Sequence, residues 1–321
     1  MFTLAELETA HALVRQALAP TPALRWPLIC TRLGADVIFK HENHNPTGAF
    51  KVRGGLTYID ALRRRSPNTR AIVSATRGNH GQSLAFAGAR AGVEPIIFVP
   101  YGNSVEKNAA MRALGARLIE HGADFQEARE EAGRFASAEG HEFVPSFHRD
   151  LVVGVATYSL ELLRAHPDLD ALYVPIGQGS GICGAVAARD ALGLKTEIVG
   201  VQAQGAPAYA LSFAAGHAIS TPTAETFADG MATRAPDAEA LDIVMRRVAR
   251  IVLVSDDEIA QAVRCLWTDT HNLAEGAGAA ALAAAAQERG RLRGRKVGLV
   301  LSGGNIDFAL FQRWIARDSV T

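Results

Sequence analysis

The chain has 321 residues, with 33 Lys and Arg against 33 Asp and Glu, and 48% of its residues are hydrophobic. At about 150 residues per domain, this length predicts about two domains with a substantial buried core. A formal net charge of zero argues against a nucleic-acid binder, which needs a net basic face.

Along the chain, short β-branched apolar runs alternate with helical stretches. Strands are predicted over 36–40, 71–74, 95–99, 117–120, 171–176, 197–201 and 297–301. Helical patterns lie between them at 56–65, 82–91, 105–114, 126–136 and 185–192, and a final one covers 307–316. Strands of four to seven residues separated by helices read as βαβ units, hence an α/β fold with mostly parallel sheets. Two stretches show no clear period: 141–151, a candidate interdomain crossing, and 203–234, a candidate loop over the site. Arg63, Arg64 and Arg65 read as a solvated helix face.

Cys30, Cys183 and Cys265 have no CxxC spacing and fit a reducing compartment. The longest apolar run, 277–286, is far short of the roughly 18 residues of a membrane helix. The first residues carry Glu6 and Glu8 rather than the basic start of a signal peptide. The expectation is a cytoplasmic protein with neither membrane nor nucleic-acid partners.

Gly-rich polar segments follow three of the predicted strand ends, where parallel sheets bind ligands. The segment 174–184, Val-Pro-Ile-Gly-Gln-Gly-Ser-Gly-Ile-Cys-Gly, leads from strand through turn into helix. Its amides can cradle a phosphate at the helix N-terminus; a plain tight turn is the alternative. Gly179, Gly181 and Gly184 satisfy GxGxxG, but the next strand ends in Gln202 and Ala203 instead of an acidic ribose-binding residue. No Lys-Ser/Thr follows the glycines, so a phosphorylated cofactor smaller than a nucleotide is expected.

In the segment 45–54, Pro46-Thr47-Gly48 forms a turn, Thr47 is a candidate cap, and Lys51 falls in the first helical turns. Helix dipole and burial there favour a neutral amine, the state of a Schiff-base nucleophile; read alone, an ordinary surface lysine is the alternative. Segment 74–82 repeats the strand–turn–helix pattern with Thr76, Arg77, Gly78, Asn79 and His80, whose amides can bind a carboxylate. The fourth segment, 301–305, closes the last strand with Ser302. His44, His80 and Cys183 lack partners at metal-ligand spacing, so no metal is expected.

Taken together and in this order, the segments resemble the fold type II pyridoxal-phosphate enzymes, built like the tryptophan synthase β subunit. Within them the chain looks like the serine/threonine dehydratase branch, which includes serine racemase; Asp229-Gly230 and Glu275-Gly276-Ala277-Gly278 fit as well. The resemblance runs from about residue 20 to about 310 and implies two three-layer αβα domains. The large one comprises 1–52 with 147–321, and the small one, 53–146, closes over the substrate. It implies pyridoxal 5'-phosphate as cofactor and a homodimer or higher homo-oligomer.

By the same resemblance, Lys51 is the Schiff-base lysine that also moves the Cα proton, and Phe50 lies against the cofactor ring. Asn79 meets the ring hydroxyl, Ser302 the pyridine nitrogen, and Gly177, Gln178, Gly179, Ser180 and Gly181 the phosphate. Thr76, Arg77, Gly78, Asn79 and His80 bind the amino-acid substrate. A serine hydroxyl is too weak an acid to protonate the ring, which favours β-elimination over transamination. The expected activity is that of an ammonia-lyase converting L-threonine or L-serine to a 2-oxo acid and ammonia. Alternatives are the same chemistry on phenylserine or 3-hydroxyaspartate, a threonine synthase-like replacement, and a non-catalytic binder of phosphorylated ligands.

Three features depart from the family pattern. Arg77 stands where many relatives carry a small hydroxyl residue, which argues against racemisation; it either pairs with an anionic substrate group or points to solvent. Gln178 and Ser180 interrupt the glycines of the phosphate loop without removing its amides. Gln202 and Ala208 replace the carboxylates of the family's cation site, so that site is expected to be absent. The chain ends at Thr321, so no C-terminal regulatory domain is expected.

Overall fold

The computed structural model describes residues 1–314. It begins with α1 (Leu4–Arg15), β1 (Ala23–Arg25), α2 (Pro27–Leu33), β2 (Asp36–His41) and α3 (Lys51–Arg65). Then follow β3 (Ala71–Ala75), α4 (Asn79–Ala91), β4 (Glu94–Val99), α5 (Val105–Ala113), β5 (Arg117–Glu120), α6 (Phe125–Glu139) and β6 (Glu142–Phe143). The chain continues through α7 (Arg149–Ala165), β7 (Ala171–Pro175), α8 (Ser180–Ala191), β8 (Glu197–Ala203), α9 (Ala208–Ala215), α10 (Ala238–Arg247) and β9 (Arg250–Val254). It closes with α11 (Asp256–Thr270), α12 (Gly276–Gln287), α13 (Arg289–Leu292), β10 (Lys296–Leu301) and α14 (Phe308–Trp314).

Two sheets result. One has six strands in the order β1-β2-β10-β7-β8-β9, the other four in the order β5-β4-β3-β6. Every pairing is parallel except β1 with β2. Strand side chains alternate between faces, so Val37 and Phe39 join one core while Ile38, between them, joins another. Both faces of each sheet are covered by helices, which is why the strands are apolar throughout rather than every second residue. Local signals start several helices: Thr3 with Glu6 and Ser255 with Glu258 each form a complete capping box on α1 and α11.

Several expectations need correction. Thr47 does not cap α3; its hydroxyl donates to the Ala49 carbonyl at 3.4 Å, and the N-cap position is Phe50, without a side-chain cap. The stretch 141–151 contains β6 and the start of α7, and 203–234 contains α9 and a 3-10 turn over Asp229–Met231. Strand β8 runs on to Ala203, which places Gln202 inside it, with its side-chain oxygen accepting from the Ala210 amide at 2.9 Å. The helix expected over 307–316 is described as far as Trp314, its last two positions lying outside the described residues. No helix among the described residues is long and apolar enough to cross a membrane.

Candidate active site

Lys51 is the first residue of α3, and its position is set from behind by the turn after β10. The Phe50 amide donates to the Ser302 carbonyl at 3.0 Å, and the Gly304 amide to the Gly48 carbonyl at 2.9 Å. Forward, the Lys51 amine donates to the Ser180 hydroxyl at 2.9 Å and lies 5.1 Å from the centroid of the Phe50 ring. Burial pushes the Lys51 amine down to about 8, because no carboxylate repays its lost hydration. Such an amine is substantially neutral near pH 8 and fit to act as nucleophile and base.

Ser180 opens α8, so the first-turn amides of Ser180, Gly181 and Ile182 have no intrahelical acceptor. Gly179 precedes them with φ +103°, a conformation that favours glycine. A Cβ at Gly177 would strike the Gly230 carbonyl oxygen, and one at Gly179 the Ala240 side chain. The Tyr209 hydroxyl donates to the Gln178 carbonyl at 3.0 Å and the Tyr158 hydroxyl to the Gly181 carbonyl at 3.3 Å. The loop is thus a rigid ring of outward amides at a helix N-terminus, which suits a phosphate. With the Lys51 amine aimed at it, the residues fit pyridoxal phosphate.

The segment between β3 and α4 forms the facing wall. The Gly78 amide donates to the Thr76 hydroxyl at 2.9 Å, tightening the turn. The Asn79 side-chain nitrogen donates to Glu275 at 2.6 Å, and its oxygen accepts from Asn305 at 2.8 Å. His80 is buried with Nε2 unpartnered, and burial, then the Lys51 charge, push its imidazole down to about 3. His80 is therefore neutral at any working pH.

The cofactor- and substrate-site residues expected from the resemblance all line one cavity of about 130 Å³: Phe50, Lys51, Thr76, Arg77, Gly78, Asn79, His80, Gly177, Gln178, Gly179, Ser180, Gly181 and Ser302. Sequence reasoning missed Lys107, which also lines it. Its buried amine meets Asp229 at 2.6 Å and Glu275 at 3.3 Å. Burial opposes the charge on Lys107, but the two carboxylates outweigh it and hold the amine protonated. Burial also raises Glu275, which Lys107 only partly offsets. Nothing in the amphipathic run around Lys107 marks it as buried. Tyr158 and Tyr209 were likewise unreadable, because their partners lie 23 and 31 residues away.

A parallel α/β fold with a lysine facing a glycine-rich helix N-terminus at the strand ends defines a class of proteins that hold a phosphorylated aldehyde cofactor. The family model "Pyridoxal-phosphate dependent enzyme" matches residues 14–303, and the chain belongs to that family. It is 32% identical to the L-threonine ammonia-lyase of Thermotoga maritima over the whole of this chain and 80% of the relative. It is 31% identical to the L-threo-3-hydroxyaspartate ammonia-lyase of Saccharomyces cerevisiae, over 94% of this chain and 93% of the relative. Among solved structures, the T.th. threonine deaminase superimposes with a TM-score of 0.89 at 30% identity, covering 96% of this chain and 99% of that one. Fold type II and pyridoxal 5'-phosphate as cofactor follow.

Proposed function

We propose that this enzyme removes water and then ammonia from β-hydroxy-α-amino acids, with L-threonine and L-serine as its base substrates. The observation that carries this reading is the meeting of the Lys51 amine, the amides after β7 and Ser302 in one cavity. The relatives with ammonia-lyase activity support the choice among reactions of the family.

In this reading the amides of 177–181 hold the cofactor phosphate, Phe50 faces the ring, Asn79 meets the ring hydroxyl and Ser302 the ring nitrogen. The cofactor supplies a sink for the electron pair left when the substrate Cα loses its proton. The low pKa of Lys51 lets its amine take that proton near neutrality, with Ser180 holding the amine beside the substrate position. The amides of 76–80 bind the substrate carboxylate and fix the Cα–H bond toward Lys51. Ser302, a neutral partner, would leave that sink weak and favour prompt departure of the β-hydroxyl, which leaves as water when the proton Lys51 took from Cα is returned to the β-oxygen. The enamine product then hydrolyses to a 2-oxo acid and ammonia. Residues 53–146 form the smaller unit that closes over the site and excludes water.

The test is release of ammonia and 2-oxo acid from L-threonine, L-serine, threo-phenylserine and 3-hydroxyaspartate. Wild type is expected to turn over at least one of them, and Lys51→Ala to fall to background. A cofactor-loaded wild type inert on the whole panel refutes the reading.

A further inference from the structure

Arg77 is exposed, makes no ion pair among the described residues, and sits at the mouth of the catalytic cavity. It also lines a second cavity, of about 720 Å³, which shares Phe125, Ser146, Gln178 and Thr233 with the first. The two cavities therefore adjoin along a shared wall. The outer part carries two more exposed guanidiniums, Arg129 and Arg234, and neither forms an ion pair among the described residues. The Arg234 guanidinium instead donates to the Thr221 carbonyl at 3.4 Å.

Three carboxylates line the same groove, but two are already committed. Asp124 accepts from the Glu127 amide at 2.9 Å as the cap of α6. Asp237 accepts from the Glu239 and Ala240 amides, at 3.0 and 3.1 Å, as the cap of α10. Capping leaves both charges in place; Glu225 is the third acid, and among the described residues none of the three forms an ion pair with Arg77, Arg129 or Arg234. The guanidinium nearest the catalytic cavity is that of Arg77, and a planar guanidinium without an ion-pair partner suits a carboxylate.

Resting on the lyase reading above, we propose that the cleft is the substrate side-chain site and that Arg77 selects β-hydroxy amino acids whose side chain ends in a carboxylate. The turn fixed by Thr76 and Gly78 sets Arg77 within the run of amides that take the α-carboxylate. One short loop thereby reads both acidic groups of such a substrate. The volume of the outer groove leaves room for a longer acidic chain.

The experiment uses amino acids without a β-hydroxyl, which bind but cannot eliminate: L-aspartate against L-asparagine, and L-glutamate against L-glutamine. Binding to the cofactor-loaded enzyme is read from the cofactor's visible absorbance in wild type, Arg77→Gln and Arg77→Lys. In wild type at least one acid is expected to bind about tenfold or more tightly than its amide, the range of a charge-assisted hydrogen bond. The ratio should fall to about one in Arg77→Gln, recover in part in Arg77→Lys, and shrink with added salt. Ratios near one in wild type, or a ratio that survives Arg77→Gln, overturn the proposal. Threonine turnover with no acid preference leaves the lyase reading standing and removes Arg77 from it. Acid preference without ammonia release from any β-hydroxy amino acid does the reverse.

Discussion

The Lys51 amine gives the site a pH signature that precedes any catalysis. Its folded pKa of about 8 lies below the ordinary 10.5, so the unfolded chain binds more protons between those values. Stability of the cofactor-free protein should therefore rise with pH from about 8 to about 10.5, and the penalty should be full below 8. Lys51→Met removes that penalty and should stabilise the cofactor-free protein at pH 7 by up to about 3 kcal/mol. Chemical denaturation from pH 7 to 10 checks this, and wild-type and Lys51→Met curves that run parallel would refute it. The chemistry of Lys51 was legible in its turn-to-helix setting. Its hydroxyl partner Ser180, 129 residues on, was not.

At the scale of elements, α3 is locked by a buried charge network that begins two residues after Lys51. The fully buried Arg53 guanidinium contacts Glu42 at 2.8 Å and Glu161 at 2.8 Å, joining β2's exit to α7. Lys40 reaches the same Glu161 at 2.6 Å. Removing one member of a buried pair leaves an uncompensated charge, so Arg53→Met should cost about 3–5 kcal/mol. The denaturation midpoint should drop accordingly with little change in slope, and Arg53→Met with Glu42→Met should recover part of the loss. A shift under about 1 kcal/mol would mean that packing, not the network, holds α3. Strands such as β3 and β4 were readable because both faces are apolar. Helix α12 was not, since an alanine-rich helix buried all round lacks the one-sided apolar stripe that marks a surface helix. Strand β9 carries an ordinary β-branched signal but was absent from the predicted strands.

Across the whole molecule, α5 ties the part of the chain carrying the four-stranded sheet to the six-stranded sheet's side of the cleft. Lys107 meets Asp229 and Glu275, the Glu106 carboxylate accepts from the Phe308 amide at 2.8 Å, and Ser104 donates to Asp307. If these contacts couple the two sides, Lys107→Met should speed hydrogen exchange in both 104–108 and 228–231, and leave 36–41 protected. Acceleration confined to one side would reject the coupling. The proposed closure of 53–146 over the site belongs to this scale too, and identical free and ligand-bound structures would contradict it.

Local patterns in the sequence were enough for the alternating architecture, the glycine cradle, the reactive lysine and the family. Each strand, helix and motif rests on residues within about ten positions of one another, where turn chemistry, helix ends and apolar runs act directly, and the family on the order of those motifs along the chain. Tertiary structure alone decided that the separate segments share one cavity and that Lys107 is a buried cation. It also decided that Arg53 bolts the lysine helix from behind, and that Arg77 lines both the catalytic cavity and the adjoining groove that carries Arg129 and Arg234. Those outcomes depend on burial and on charges brought together from distant parts of the chain, and neither quantity exists until the sheets have packed.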